Sequence, residues 1–347
     1  MATPSIKEVA RHAGVSVGTV SNVLNKPWIV TPPLRERVQR SIEALGFVRN
    51  EAARHLRAGR SRTIGLVVLD VSNPFFTDLA AGAEELAADH DTVVMLCNSR
   101  TDPVRERHHL DQLEQQRVLG ILITPVGTHN NKLLTAMAAR GTPVVLVDRA
   151  APSGDHCAVS IDDHLGGRRV GEHLIERGHR RIIFIGGPLT IQQVADRHEG
   201  ITAAVAAADG VSLETLELPS MSAEQGRTAG DAIAARAPES RPTAAFCAND
   251  MVALGFLQAM AARGLAVPGD MAIVGYDDIE FAATAAVPLS SVRQPPDLLG
   301  RTAMELLQVE VEAPEGHRHR QVIFQPELVI RESSALAHNS GGSAHDN

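Results

Sequence analysis

From residue 62 onward, the sequence alternates short apolar runs with stretches of helical periodicity. The apolar runs are continuous and strand-like: Ile64–Leu69, Val93–Leu96, Ile121–Ile123, Val144–Val147, Ile182–Ile185, Ala244–Cys247 and Ala272–Val274. Such runs are typical of parallel sheets that helices cover on both faces. About 270 residues follow this pattern, a length that suits two α/β lobes better than one.

The first 48 residues lack strand-like runs and read as three short helices. Ser5 and Glu8 have the spacing of a capping box, and Gly14 is placed to end the first helix. A second helix is predicted over Ser16–Asn25 and a third over Thr31–Gly46, where prolines occupy the first turn. An all-α N-terminal domain is therefore expected ahead of the α/β region.

The second helix has two contrasting faces. At 100° per residue, Val20, Val23 and Leu24 fall on one face. The opposite face carries Val17, Gly18, Ser21, Asn22 and Asn25. A helix that buries one face and exposes the other near its N-terminus can enter the major groove of DNA. A plain helical hairpin would produce the same pattern, and this alternative stays open on the pattern alone.

Charge is divided unevenly along the chain. Residues 1–60 hold ten Lys/Arg and four Asp/Glu, a net of +6, whereas the whole chain has a net charge of −8. A basic head on an acidic body suggests that only the head meets a polyanion. A solvated charged face is the alternative.

The cysteines and the apolar content point to the cytoplasm. Cys97, Cys157 and Cys247 lie far apart inside apolar runs, a spacing that favours buried, reduced thiols over disulfides or a metal site. The N-terminus has no apolar leader, and no run of about 20 apolar residues is present to span a bilayer. We therefore expect no membrane association.

Several motifs resemble the lactose-repressor (LacI/GalR) family of bacterial transcriptional regulators over residues 5–332, in consistent order. They read IKEVARHAGVSVGTVSNVLN at 6–25, EALGFVRNEAARHLRAGRSRTIGLVV at 43–68, DVSNPFF at 70–76, IDDHLGG at 161–167, LIERGHRRIIFIGGP at 174–188, FCANDMVALG at 246–255 and IVGYDD at 273–278.

The resemblance implies a helix-turn-helix domain at 1–48, a hinge helix at 49–61 and an effector-binding and dimerisation domain at 62–332. The last of these has the two-lobed α/β fold of periplasmic binding proteins. We assign lobe 1 to about 62–161 and 290–322, and lobe 2 to about 162–289 and 323–332. Residues 333–347, rich in Ser, Gly, Asn and His, are expected to form a disordered tail.

The resemblance also assigns DNA contacts. Val17, Gly18 and Asn22 match positions that read bases in the family, and Asn25 shares their face. Thr19 and Ser21 match positions that contact phosphates. Asn22 can pair with an adenine edge and Val17 can touch a thymine methyl group, whereas Gly18 only permits close approach.

The hinge at Asn50–Ala58 is expected to fold on DNA and to contact it through Ala53, Leu56 and Arg57. In the family, a leucine here wedges into the minor groove at the operator centre, a known way to kink a base step. Packing of Leu56 against the sensor is the alternative. Arg49 stands where the family commonly has proline, which removes a stiff helix start and adds a positive charge.

Polar residues follow three of the apolar runs, at Asp148, Asn249 and Asp277. Ligands of open α/β folds bind beside the carboxyl ends of strands, so these side chains should face a cleft. With the positions that the family uses, the predicted effector site comprises Phe75, Phe76, Asp148, Ile161, Arg197, Met221, Asn249, Asp277 and Gln294. Arg197 could instead be a structural ion-pair partner, and each polar residue taken alone could be a cap or turn residue.

The expected function is that of a repressor of carbohydrate genes, released from a palindromic operator by a sugar or sugar derivative. The expected partners are operator DNA, the effector and a second copy of the chain, with no cofactor. Met221 replaces an aromatic stacker found in some members, so a nucleobase effector stays open. A phosphoprotein co-effector, as in the catabolite-control branch, is a further alternative.

Two other classes are disfavoured. An enzyme could use paired carboxylates, but no dinucleotide, Walker, nucleophile-elbow or metal motif is present. A transport-type binding protein would need an export signal where the basic head stands.

Overall fold

Two units make up the chain, residues 1–60 and 61–347. The computed structural model describes residues 4–47, 61–151 and 153–335. Apart from Ser61, the predicted hinge lies outside the described residues, as do its expected DNA contacts Ala53, Leu56 and Arg57.

Three helices form the described part of the first unit. They are α1 (Ile6–Ala13), α2 (Val17–Asn25) and α3 (Pro32–Leu45). The predicted capping box is present: the Ser5 amide donates to Glu8 Oε2 at 2.7 Å, and the Glu8 amide donates to Ser5 Oγ at 3.4 Å. Gly14 ends α1 with a φ of 64°, a left-handed conformation that favours glycine. Buried Val9, Val20 and Val38 join the three helices.

The second unit alternates strands and helices along its length. Its first part contains β1 (Thr63–Val68), α4 (Pro74–Asp89), β2 (Val93–Asn98), α5 (Pro103–Gln115), β3 (Gly120–Ile123), α6 (Asn131–Ala139), β4 (Val144–Val147) and β5 (Cys157–Ile161). Its second part contains α7 (Asp163–Glu176), β6 (Arg181–Gly186), α8 (Gln192–Ala206), β7 (Ser212–Glu217), α9 (Ala223–Ala234), β8 (Ala244–Cys247), α10 (Asp250–Ala262), β9 (Ala272–Asp277), α11 (Glu280–Thr284), β10 (Ser290–Arg293), α12 (Pro296–Glu312), β11 (Gln321–Phe324), β12 (Glu327–Val329) and α13 (Glu332–Ala335).

Two six-stranded sheets define the two lobes of this unit. The first has the order β11-β5-β4-β3-β1-β2 and the second the order β12-β10-β9-β8-β6-β7. All neighbouring strands are parallel except β10 and β12. The chain crosses between the sheets after β5, after β10 and again between β11 and β12. The predicted two-lobed α/β fold is confirmed.

The predicted lobe boundaries near the C-terminus need correction. Residues 290–293 were expected in lobe 1, but they form β10 and pair with β9 in the second sheet. Residues 323–324 were expected in lobe 2, but they belong to β11 and pair with β5. The sequence of β10 is Ser-Ser-Val-Arg, so this buried strand has no apolar run by which to be found.

The expected disordered tail at 333–347 begins too early. Ser333 and Ser334 are fully buried in α13. The Ser333 hydroxyl donates to the Ile273 carbonyl at 2.6 Å and accepts from the Ser290 amide at 2.8 Å. Ser333 thus satisfies buried backbone groups, although the serine-rich composition of this segment suggested a disordered tail. The rest of the tail lies outside the described residues.

One expected buried thiol is half-exposed. Cys157 and Cys247 are buried, but Cys97 lies on β2, at the edge of the first sheet. The same strand exposes Val93 and Leu96, so its apolar run is not covered on both faces as its continuity suggested. Among the described residues, no helix is both long and apolar enough to cross a membrane.

Replacement of Ser333 tests the corrected C-terminal boundary. We expect Ser333→Ala to lower the free energy of unfolding by about 1–3 kcal/mol, because the Ser290 amide and the Ile273 carbonyl would lose a partner. Urea denaturation of the full chain, followed by circular dichroism, measures this change. Exposed Ser240→Ala is the matched control, expected within about 0.5 kcal/mol of wild type. Equal stability of the two variants would mean that α13 is not anchored.

Candidate functional site

Helix α2 presents the face that the sequence predicts for DNA. Val20 and Val23 are buried against α1 and α3, whereas Val17 is 42% exposed. Asn22 and Asn25 are also exposed. Side chains able to contact base edges therefore lie on the solvent side of this helix.

The first turn of α2 is held by its own cap. Ser16 Oγ accepts a hydrogen bond from the Thr19 amide at 3.0 Å and lies 2.9 Å from Thr19 Oγ1. The nearest atom to a Cβ added at Gly18 would be Ser16 Oγ, at 3.6 Å, so this turn is open to a partner surface. Asn25 Nδ2 donates to the Ser21 carbonyl at 2.8 Å, which orients an amide at the other end of the helix.

A cavity lies between the two lobes at the carboxyl ends of their strands. It encloses about 290 Å³ of space, including its mouth. Its lining comes from both lobes: Leu69, Asn73, Phe75, Phe76 and Asp148 from the first, and Ile191, Gln193, Val194, Arg197, Met221, Asn249 and Asp277 from the second.

Side-chain hydrogen bonds join the two lobes across this cleft. Asn73 Nδ2 in lobe 1 donates to Asp277 Oδ2 in lobe 2 at 2.8 Å. Gln193 Nε2 in lobe 2 donates to Asp148 Oδ2 in lobe 1 at 3.0 Å. Because these side chains also line the cavity, a ligand that enters it would compete with the bonds between the lobes.

A buried ion pair supplies the cation of the cleft. Arg197 Nε donates to Asp163 Oδ1 at 2.8 Å, and both side chains are only 4% exposed. Arg197 Nη1 donates to the Ala248 carbonyl at 2.8 Å and lies 3.9 Å from Asp277 Oδ1. The guanidinium also stacks 3.7 Å from the centre of the Tyr276 ring. Burial acts to lower the pKa of Arg197, but the nearby acidic groups, Asp163 above all, outweigh burial and raise that pKa.

The carboxyl groups of the cleft are strongly desolvated. Burial raises the pKa of Asp148 well above its usual range, and the neighbouring Asp163 carboxylate raises it further. Burial also raises the pKa of Asp277 to about 6, although Arg197 and two amide donors act to lower it. Both aspartates have left-handed backbones, with φ of 56° at Asp148 and 105° at Asp277. Strain of this kind in residues other than glycine often marks a ligand site.

Comparison with known proteins identifies the family. Residues 5–50 match the bacterial regulatory proteins of the lacI family, and residues 172–334 match the periplasmic binding protein-like domain. The chain is 32% identical over 330 residues to the HTH-type transcriptional repressor PurR of Mannheimia succiniciproducens, with 95% of this chain and 98% of that one covered. It is 34% identical over 321 residues to the ribose operon repressor of Escherichia coli K12, with coverage of 91% and 96%. The chain belongs to the LacI family.

A solved LacI-family structure supports the same fold. The lac repressor dimer bound to operator and the anti-inducer ONPF matches with a TM-score of 0.81 and 26% identity, covering 97% of this chain and 100% of that one. The predicted family and fold class are thereby confirmed. The protein is a DNA-binding transcriptional repressor with a small-molecule effector, and not an enzyme.

Most of the effector residues expected from the LacI-family resemblance lie together. The cavity lining includes Phe75, Phe76, Asp148, Arg197, Met221, Asn249 and Asp277. Gln294 and Ile161 are outside that lining, and both lie where the chain crosses between lobes. Gln294 Nε2 donates to Asp277 Oδ1 at 2.8 Å, so Gln294 positions a lining carboxylate. Ile161 is a buried residue at the end of β5.

Two predicted contacts also have structural roles. Asn249 Oδ1 accepts from the Val252 amide at 2.9 Å and caps α10. Its Nδ2 donates to the Met221 carbonyl at 3.2 Å. The alternative interpretations therefore describe real contacts: Asn249 is a helix cap, and Arg197 is an ion-pair partner.

Five lining residues were not predicted from the sequence: Leu69, Asn73, Ile191, Gln193 and Val194. Two of them carried a signal. Gln193 precedes Arg197 by four residues, so both lie on one face of α8. Asn73 stands in the DVSNPFF motif and caps α4 by accepting from the Phe75 amide at 3.2 Å, which leaves its Nδ2 free to reach Asp277.

The ion pair can be tested by removing one or both charges. We expect Arg197→Met to lower the free energy of unfolding by about 3–5 kcal/mol, because it leaves the buried Asp163 charge without a partner. Adding Asp163→Asn should restore about 1 kcal/mol or more of the free energy of unfolding, because the unpaired charge is then gone.

The exposed pair of Arg168 and Glu172, joined at 2.7 Å, provides the control for these measurements. Arg168→Met should cost about 0.5 kcal/mol or less. Urea denaturation of the four proteins gives the comparison. Equal losses for Arg197→Met and Arg168→Met would show that the buried pair does not hold the cleft.

Proposed function

We propose that this repressor binds a palindromic operator as a homodimer and leaves it when a neutral, monosaccharide-sized sugar enters the cleft. The DNA half of the proposal rests on α2. Its exposed face combines an amide for adenine at Asn22, a methyl contact for thymine at Val17 and open access at Gly18. The net charge of +6 in residues 1–60 would supply phosphate attraction.

An exposed apolar edge supports the homodimer. On β2, Val93 is 66% exposed and Leu96 and Met95 are also open to solvent. Val104, in the first turn of α5, is 75% exposed. Exposed apolar edge strands invite pairing or association, and a second copy of this chain would cover the edge. Two-fold pairing would also place two copies of α2 on a palindrome.

Replacement of Asn22 tests base reading. We expect Asn22→Ala to weaken binding to an operator selected from random duplexes by about 1–3 kcal/mol, while binding to unrelated DNA changes little. Gln39→Ala, which removes an exposed amide from α3, should leave both affinities unchanged. Fluorescence anisotropy with labelled duplexes measures them. An unchanged preference among duplexes in Asn22→Ala would place base reading elsewhere.

Unpaired acceptors in the cleft carry the sugar proposal. Within the described part of the chain, the buried atoms Asp148 Oδ1 and Gln193 Oε1 have no hydrogen-bond partner. Gln193 Oε1 accepts hydrogen bonds, as does Asp148 Oδ1 in the ionised carboxylate, so a ligand that presents donors would satisfy both atoms. A ligand with several hydroxyl groups, such as a sugar, offers many donors for its size.

Charge and size narrow the ligand further. Arg197 is the one cationic residue of the described cavity lining, beside the carboxyl groups of Asp148 and Asp277. An anionic sugar phosphate would therefore be repelled, and a neutral ligand is favoured. The cavity is small, which favours a monosaccharide over a larger sugar. The similarity to the ribose operon repressor makes a pentose the first candidate.

Ligand binding would change DNA affinity by rearranging the lobes. A sugar that donates to Asp148 and Asp277 would replace the bonds that these aspartates now accept from Gln193 and Asn73. A ligand shifts a conformational equilibrium only through contacts that differ between its states. We propose that the shift reaches the hinge at 49–61 and withdraws Leu56 from the minor groove. Because the operator is bacterial chromosomal DNA, the protein would act in the cytoplasm.

Neighbouring glutamines of α8 offer a matched test. Gln193 lines the cavity, whereas Gln192 is exposed and bonds to Asp196 at 2.6 Å. Gln193→Ala should need about 10-fold more of the sugar that releases wild-type protein from operator. The reason is that loss of the Oε1 acceptor would weaken sugar binding by roughly 1.4 kcal/mol. Gln192→Ala should respond like wild type.

D-ribose is the first probe, followed by other aldopentoses, aldohexoses and free nucleobases, with operator release measured by anisotropy. Release by nucleobases alone would contradict the sugar assignment. So would release that requires a phosphoprotein from the cell and no sugar. An equal response of the two glutamine variants would remove the effector from this cleft.

A further inference from the structure

Four metal-ligating side chains meet at the far side of lobe 1, away from the cleft lining. They are Cys157 at the start of β5, Glu310 in the last turn of α12, and His317 and His319 in the segment before β11. One ligand atom of each side chain lies within 4.8 Å of all the others. Thiolate, imidazole and carboxylate together form a ligand set typical of zinc.

The separations approach those of a coordination sphere. Cys157 Sγ lies 3.1 Å from His317 Nε2. Glu310 Oε2 lies 3.7 Å from His317 Nε2 and 3.9 Å from His319 Nδ1. Around a tetrahedral zinc with bonds of about 2.0–2.3 Å, neighbouring ligand atoms stand about 3.3–3.8 Å apart. Small side-chain rotations would therefore complete such a sphere.

The carboxyl group of Glu310 gives independent evidence for a cation. Glu310 is only 8% exposed, and within the described part of the chain its Oε2 atom has no hydrogen-bond partner. A carboxyl oxygen buried in this way is costly unless a partner compensates, and a bound metal ion would provide one.

The fold explains why the cysteine spacing did not reveal this cluster. Strand β11 pairs with β5 in the register Gln321 to Ala158, which brings the segment before β11 alongside Cys157. The Arg320 amide lies 3.4 Å from Cys157 Sγ. His317 and His319 are two residues apart in this segment, and their ring centres lie 5.2 Å from each other.

We propose that Cys157, Glu310, His317 and His319 bind one divalent transition-metal ion of the zinc class. Four protein ligands leave no open position, which is typical of structural rather than catalytic zinc sites. Thiolate and imidazole favour zinc or cobalt over magnesium or calcium. The ion would clip the end of α12 to β5 and to the segment that leads into β11.

Cobalt substitution gives a direct test, because a cysteine ligand has its own spectroscopic signature. Full-length protein without an affinity tag is stripped with chelator and titrated with cobalt chloride. We expect one Co²⁺ per chain, visible absorption of a tetrahedral site and a near-ultraviolet thiolate-to-cobalt band, all abolished by an equivalent of Zn²⁺. Cys157→Ser should remove the thiolate band, and half-exposed Cys97→Ser should retain it.

A histidine variant separates site loss from misfolding. His319 is exposed at the rim, so His319→Gln should fold normally by circular dichroism. Its affinity for Co²⁺ should fall by about 100-fold or more, since loss of even an outer-shell partner of a metal ligand lowers metal affinity by roughly 10–100-fold. Exposed His108→Gln should bind like wild type. Zn²⁺ should raise the thermal midpoint of wild type and His108→Gln but not of His319→Gln.

Three results would overturn the site: no thiolate band in wild type, a band that persists in Cys157→Ser, or equal weakening in His319→Gln and His108→Gln. Each would show that these four side chains do not form a metal site and that any bound cobalt is adventitious.

Discussion

The buried ion pair between Arg197 and Asp163 is the interaction on which the cleft depends. It joins α8 to the first turn of α7, directly after the chain leaves β5 for the second lobe. A Cβ at Gly167 would overlap the carbonyl oxygen of Arg197, so the backbones of these two helices pack in contact. At this depth an unpaired charge is far costlier than in water. The pair therefore fixes a cation beside Asp277 before any ligand arrives.

The remaining polar groups of the cleft are placed by the ends of secondary structure. Asp148 follows β4 and Asp277 ends β9, while Asn73 and Asn249 cap α4 and α10. Parallel sheets gather such positions at one edge of each lobe. Because the caps are already hydrogen-bonded to backbone, their side chains are oriented without a ligand. The fold thus preorganises the cleft. The contacts that a ligand can change are the hydrogen bonds between the lobes.

Periodicity and cap chemistry predicted the fold closely, because apolar strands and capped helices leave local signals. Prediction failed where burial relies on polar side chains. Strand β10 begins with Ser290 and α13 contains buried Ser333, and neither serine differs in sequence from a loop residue. Most of the effector positions came through resemblance, whereas Gln193 needed the three-dimensional face of α8. The metal-ligating cluster depends on the pairing of β5 with β11, which no local pattern encodes.

On the function proposed above, the unpaired acceptors of the cleft would determine which ligands it rejects. A sugar that lacks one hydroxyl would occupy the cleft without giving a donor to Asp148 Oδ1 or Gln193 Oε1. Sites built to receive a hydroxyl reject analogues without it far more strongly than apolar pockets reject a missing methylene. Deoxy sugars, and epimers with one hydroxyl in the opposite orientation, would therefore bind poorly even though they fit the space. Discrimination among ligands of equal size would then follow from two oxygen atoms that the protein itself leaves unsatisfied.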